Sequence, residues 1–196
     1  MPRNFLLSLF LIFSCFCDSF TQNISANSQW LEIDENSKSV PYSCKTPRQI
    51  ANHLTAGLSD EKEKIRAIYI WITHNIAYDV EQLSPGKAKT FKTDRALFNH
   101  TLLHKKANCS GYSKLFHEIA TEAGIEVYTI SGYRRYSDGT ASELSHAWNG
   151  VHLSSGEWLL LDATWGAGGV GENSTGKKEL SFQFKERYLL TSPLDF

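Results

Sequence analysis

The residues whose types and spacing could do chemistry are one cysteine, one histidine and one aspartate, in the order Cys109, His146, Asp162. Asn108 is a strong helix N-cap, and Leu115, Phe116, Ile119, Ala120 and Ala123 form an apolar stripe behind it that Gly124 ends. Cys109 is therefore expected in the first turn of a helix, where unpaired backbone N–H groups and the dipole favour a thiolate. Such a position lowers a cysteine pKa below its usual value of about 8.5. A thiolate becomes a nucleophilic catalyst when an imidazole can shuttle its proton and a third group orients that imidazole.

The other two residues must be brought there by strands. After Gly124 the apolar period changes from 3.6 to 2, and residues 127–133, 145–153 and 157–164 read as strands. The last two are joined by Ser154-Ser-Gly156. A three-residue turn makes Leu153 face Glu157 and Trp148 face Asp162, with His146 one diagonal step away on the same face. A two-residue turn would put Asp162 on the opposite face from His146, so the constellation depends on that turn. Each member also has a plain structural reading: a small buried thiol, a satisfied strand histidine, and an aspartate that caps a strand.

Upstream, Pro47 to Leu54 reads as a short helix with Pro at its start. Residues 60–77 form the clearest helix, with Ile65, Ile68, Tyr69, Ile72 and Ile76 on one face and Ser59 or Asp60 as cap. Residues 84–89 read as a loop and 93–106 as another helix. Helices first and antiparallel strands afterwards give an α+β arrangement.

The chain has 196 residues, with 20 Lys+Arg against 21 Asp+Glu. One ordinary domain fits that length. The balanced charge lacks the basic footprint of a nucleic-acid binder or a polybasic membrane-docking surface. Arg3 followed by the apolar run Phe5 to Phe13 reads as a secretory signal peptide over residues 1–19, too short to span a bilayer. Secreted or periplasmic localisation, with no stable membrane insertion after cleavage, follows from that reading. Phe13 fits a small-residue cleavage box poorly, so a lipid anchor at Cys15 is not expected. Cleavage would leave Cys44 and Cys109, which could bridge or stay free; the setting of Cys109 favours a free thiol. Residues 20–46, rich in Ser, Asn and Gln, read as an extended or loosely held arm before a core domain over 47–196.

The motifs also resemble a known family. Cys109-Ser-Gly-Tyr112, Ser145-His-Ala-Trp-Asn149 and the run Trp158 to Gly166 resemble the nucleophile, histidine and aspartate motifs of the transglutaminase-like superfamily. The helix Ile65 to Ile72 with its ending Asn75-Ile-Ala-Tyr-Asp79 is similar to the kyphoscoliosis peptidase branch. The resemblance covers roughly residues 47 to 196. It implies a papain-like, transglutaminase-core fold with Cys109 as nucleophile, His146 as general base then acid, and Asp162 as orienter. It implies acyl transfer from an amide through a thioester, with the oxyanion held by the Cys109 backbone N–H and a second donor, for which Tyr78 is the candidate. Trp148 and Trp165 would shield the site or line a substrate groove, and Trp71 would pack inside. Two departures stand out: Asn108 where many relatives carry a small or apolar residue, and Ser113 where they carry Ala. Longer relatives continue beyond the match to Tyr188–Phe196 into a β-rich tail.

Two further signals compete. The run Gly166 to Gly171 has the G-x-G-x-x-G spacing but no helix or ribose-binding acid after it, and reads as a flexible loop. His100 and His104 sit at i, i+4, but no CxxC or HExxH accompanies them, so neither a metal nor another cofactor is expected. The reading that follows is a secreted, cofactor-free cysteine enzyme acting on amide bonds of proteins or peptides, hydrolysis ahead of crosslinking. The alternatives are a binding module that keeps the fold without turnover, and an amidase acting on wall peptides.

Overall fold

The computed structural model describes residues 30–84, 86–135, 139–176 and 178–196. The expected signal peptide and its cleavage region lie outside the described residues. No helix among the described residues is long and apolar enough to cross a membrane.

Six helices and seven strands follow one another along the described chain. Residues 30–37 form α1, a departure from the extended arm expected there. Ile33 is buried, and Asp34 takes two hydrogen bonds from Arg66 at 2.5 and 2.7 Å. Ile33, the partly buried Trp30 and a two-point ion pair thus dock this segment. Helix α2 (Pro47–Leu54) opens with a capping box between Thr46 and Gln49. Helix α3 (Glu61–Asn75) is capped by Asp60, which accepts from the N–H groups of Lys62 and Glu63.

The burial of α3 is wider than one face. Ile65, Ile68, Tyr69 and Ile72 are covered as expected, but Ile70, Trp71 and Thr73 are covered too, so α3 is a central helix. Two-residue strands β1 (Ala77–Tyr78) and β2 (Lys106–Ala107) pair in parallel and bracket helix α4 (Asp94–His104). Lys105, at φ 51°, takes a left-handed conformation that stops α4 just short of the expected end and turns the chain into β2.

Helix α5 (Cys109–Glu122) then packs against the antiparallel sheet β3 (Glu126–Arg135), β4 (Ala141–His152) and β5 (Trp158–Leu161). β5 is shorter than the expected strand over 157–164. Asp162 leaves the strand and caps a single helical turn, α6 (Ala163–Gly166).

The glycine-rich run is not a loop. Residues Gly168–Glu172 form β6, paired antiparallel with β7 (Lys178–Phe182). Two of its glycines answer close packing: a Cβ on Gly166 would lie 1.7 Å from the Tyr69 hydroxyl, and one on Gly168 (φ 140°) would lie 2.1 Å from the Ser181 carbonyl. A 3-10 turn at Glu186–Tyr188 leads to residues 189–196, which return to β5 through a Leu160–Thr191 bridge. The result is an α+β, papain-like fold with α5 between the other helices and the sheet.

Candidate active site

Each site residue is placed by its own element. Asn108 has extended backbone, and its Oδ1 accepts from the Gly111 N–H at 3.2 Å, which starts α5 at Cys109. Gly111 is required by packing: a Cβ there would lie 2.5 Å from the Ala107 Cβ and 2.8 Å from the Thr101 hydroxyl. Tyr112, fully buried, donates its hydroxyl to the Ile76 carbonyl just past α3. The Cys-Ser-Gly-Tyr sequence therefore seats the helix start against β2, α4 and the end of α3.

The hairpin has the three-residue turn. Leu153 N–H donates to Glu157 O at 2.9 Å, Gly156 takes φ 87°, and Asn149 pairs with Leu161 in the next steps of the register. That register carries Asp162 to His146: Nε2 lies 2.6 Å from Asp162 Oδ2. With Nε2 so engaged, Nδ1 is the ring nitrogen left for the Cys109 thiol, whose charge His146 stabilises. Asp162 is buried, and its Oδ1 accepts from the N–H groups of Thr164 and Trp165 at 2.8 and 3.0 Å. Its own N–H donates to the Tyr188 carbonyl at 2.9 Å, and Tyr69 donates to its carbonyl at 3.3 Å. Capping α6 and holding the imidazole fix this carboxylate from both oxygens.

The electrostatics follow from these contacts. Burial opposes charge on the Cys109 sulfur, but hydrogen bonding to His146, the imidazolium charge, and backbone hydrogen bonds from Ala147 and Ser110 outweigh it. The thiol is held below its ordinary value. Burial also disfavours the imidazolium, yet the bonds to Asp162 and Cys109 push His146 up to about 9. Both shifts favour the thiolate–imidazolium pair. Cys44 and Cys109 both carry free thiols.

The groove candidates surround this pair. Tyr78 is half-buried on β1; burial first, then the negative charges of Cys109, Asp162 and Asp79, push its hydroxyl up to about 12. It therefore stays protonated, within reach of the Cys109 charge. Trp165 stacks on the His146 ring, centroids 4.4 Å apart and 11° between planes, and Trp148 lies near-parallel at 6.0 Å. Ser110 and Ala147, next in sequence to Cys109 and His146, help line a cavity of about 350 Å³ together with Ser113, Lys114, Thr129 and Ser131.

The sequence motifs give no role to Asp79. This buried carboxylate takes Gln82 Nε2 at 2.8 Å, Lys89 Nζ at 3.0 Å and Lys106 Nζ at 3.1 Å. Burial would raise it, but these three partners hold it at about 2. Gln82 Oε1 also accepts from Asn108 Nδ2 at 3.1 Å, so the cluster reaches the cap of the nucleophile's helix. Its signal in the sequence is an acid directly after Tyr78, with lysines beyond both of the next turns.

Residues 48–163 match the model of the transglutaminase-like superfamily. The chain belongs to this superfamily. Within it, 154 residues are 37% identical to kyphoscoliosis peptidase of Mus musculus, covering 76% of this chain. The Homo sapiens kyphoscoliosis peptidase is 36% identical over 155 residues, again 76% of this chain. The matched region spans 22% of the length of each of these relatives. The periplasmic domain of TgpA from Pseudomonas aeruginosa aligns with a TM-score of 0.46 at 18% identity, covering 68% of this chain and 47% of that one. Cys109, His146 and Asp162 all lie within the matched residues. Among the described residues no cluster of His, Cys, Asp or Glu is arranged to hold a metal, and His100 and His104 only lie ring to ring at 4.4 Å.

Proposed function

We propose that this protein is a secreted cysteine enzyme that cleaves amide bonds of proteins or peptides through Cys109, His146 and Asp162. The observation that carries the reading is the 2.6 Å bond from His146 to Asp162 beside a helix that starts at Cys109, whose thiol His146 holds low. The thiolate attacks the carbonyl carbon, and the oxyanion is held by the Cys109 N–H and the Tyr78 hydroxyl. The imidazolium of His146 gives its proton to the leaving nitrogen, the C–N bond breaks, and an acyl thioester remains on Sγ. Neutral His146 then takes a proton from water, hydroxide adds to the thioester, and collapse releases the acid and restores the ion pair. Asp162 keeps the ring oriented throughout. Water is the favoured acceptor. Secretion rests on the signal-like residues 1–19.

The test is a proteome-derived peptide library incubated with the mature chain, with a biotinylated primary amine in a parallel reaction. New amino groups or released ammonia without biotin incorporation, both absent for Cys109→Ala, are the expected result. Biotin incorporation exceeding hydrolysis would overturn the preference for water. No turnover in either reaction would replace the enzyme with the binding module.

A further inference from the structure

The aromatic contacts around His146 close on themselves, and two of their members belong to a segment remote from the three motifs. Trp165 and Trp148 both lie near-parallel to the imidazole. Trp165 touches Tyr188 at 5.5 Å, Tyr188 meets Phe196 edge-on at 6.5 Å, and Phe196 stacks on Trp148 at 6.1 Å and 29°. The segment 186–196 is tied to the site by backbone as well. The Tyr188 carbonyl accepts from the Asp162 N–H at 2.9 Å, and Thr191 exchanges two bonds with Leu160 at 2.8 and 2.9 Å. Its start is anchored where Glu186 meets Arg66. Across the sheet Trp148 lies over Gly132, where a Cβ would come within 2.6 Å of its ring. Little freedom is left to either indole.

We infer that Tyr188 and Phe196 are positioning residues, which hold Trp165 and Trp148 against the His146 ring and so favour its protonated form. The physical basis is the negative face of an indole, which stabilises an adjacent cation most strongly where water is excluded. The titratable groups facing the imidazole are Asp162 from the end of β5 and Cys109 from α5. Tyr78 and Tyr69 sense the Asp162 charge, and both hydroxyls are shifted upward, hence neutral. On the segment itself, the Arg187 guanidinium lies over the Tyr188 ring, 4.6 Å from its centroid. The inference rests on the proposed role of His146 but is read separately from it.

The experiment is an NMR titration of the His146 ring in the full chain and in Phe196→Ala, Phe196→Tyr, Trp165→Ala and Leu194→Ala, with thermal unfolding in parallel. Leu194 lies in the same segment but is 96% exposed, and its variant should match the parent. Phe196→Ala should lower the His146 titration by about half a pH unit and Trp165→Ala by about one, from the range of cation–π strengths. Phe196→Tyr should restore it. A Phe196→Ala titration that superimposes on the parent, whatever its melting temperature, would overturn the inference, because packing alone would explain the contact. An ordinary Cys109 pKa in the parent would instead sink the proposed enzyme while leaving this titration interpretable.

Discussion

Two aspartates in this molecule, Asp79 and Asp162, are each 1% exposed, and they are stabilised in opposite ways. Asp79 is surrounded by two lysines and an amide. Asp162 is given two backbone N–H groups and one imidazole. The first arrangement leaves a carboxylate with nothing to exchange, and it serves to lock β1, β2 and the cap of α5 together. The second leaves one partner that can gain or lose a proton, so the buried charge is spent on orienting and charging His146. A buried carboxylate is thus structural or chemical according to whether its partners titrate in the working range.

Substitution at Asp162 has the largest expected effect. Asp162→Asn should lower turnover on the order of ten-thousandfold, as losing the orienting charge does in comparable triads, with the thiol pKa raised toward its reference. Steady-state kinetics and thiol alkylation together check this. Asp79→Asn should do the reverse, costing about 2 kcal/mol of stability because two lysines lose a buried counter-charge. Denaturant unfolding measures that cost, and the alkylation profile of Cys109 should stay in place. A variant of Asp79 that moved the thiol pKa as far as Asp162→Asn would erase the distinction.

The pH dependence of stability separates the two carboxylates further. Asp79 has a depressed folded pKa of about 2, so its contribution is present above the unfolded value near 3.8 and is lost as pH falls toward 2. His146, the partner of Asp162, has a raised folded pKa of about 9, so its contribution is full below about 6.5 and disappears as pH rises through 9. Melting temperatures of the parent and of Asp79→Asn should converge in acid, and those of the parent and His146→Ala should converge in alkali. The smallest effect is expected at Gly132→Ala, where the added methyl must displace Trp148 at a cost of about 1 kcal/mol. A slightly lowered His146 titration should accompany it.

Much of the site is legible in the sequence because its geometry is set locally. Asn108 as a cap, the stripe behind Cys109, and the Ser154-Ser-Gly156 turn are short-range signals, and the turn alone fixes which strand residues oppose each other. The features that periodicity misses share a different cause. The run Gly166 to Gly171 lacks side-chain pattern, and only the approach of Tyr69 and the Ser181 carbonyl explains Gly166 and Gly168. β5 ends earlier than its apolar pattern suggests because Asp162 acts as a helix cap, which no periodicity reveals. Helix α1 depends on Arg66, thirty-two positions away from Asp34, and the Asp79 cluster draws Lys89 and Lys106 from two separate elements. Such contacts are decided by tertiary packing, as is the return of Phe196 to Trp148.

The most direct test of the central claim is the pH dependence of Cys109 alkylation, with mass spectrometry to separate it from Cys44, for the parent and for His146→Ala. The expected result is an apparent thiol pKa well below 8.5 that climbs in the variant, the signature of a thiolate held by an imidazolium. A parent value at or above the reference, unmoved by the substitution, would contradict the claim that these three residues form a working nucleophile.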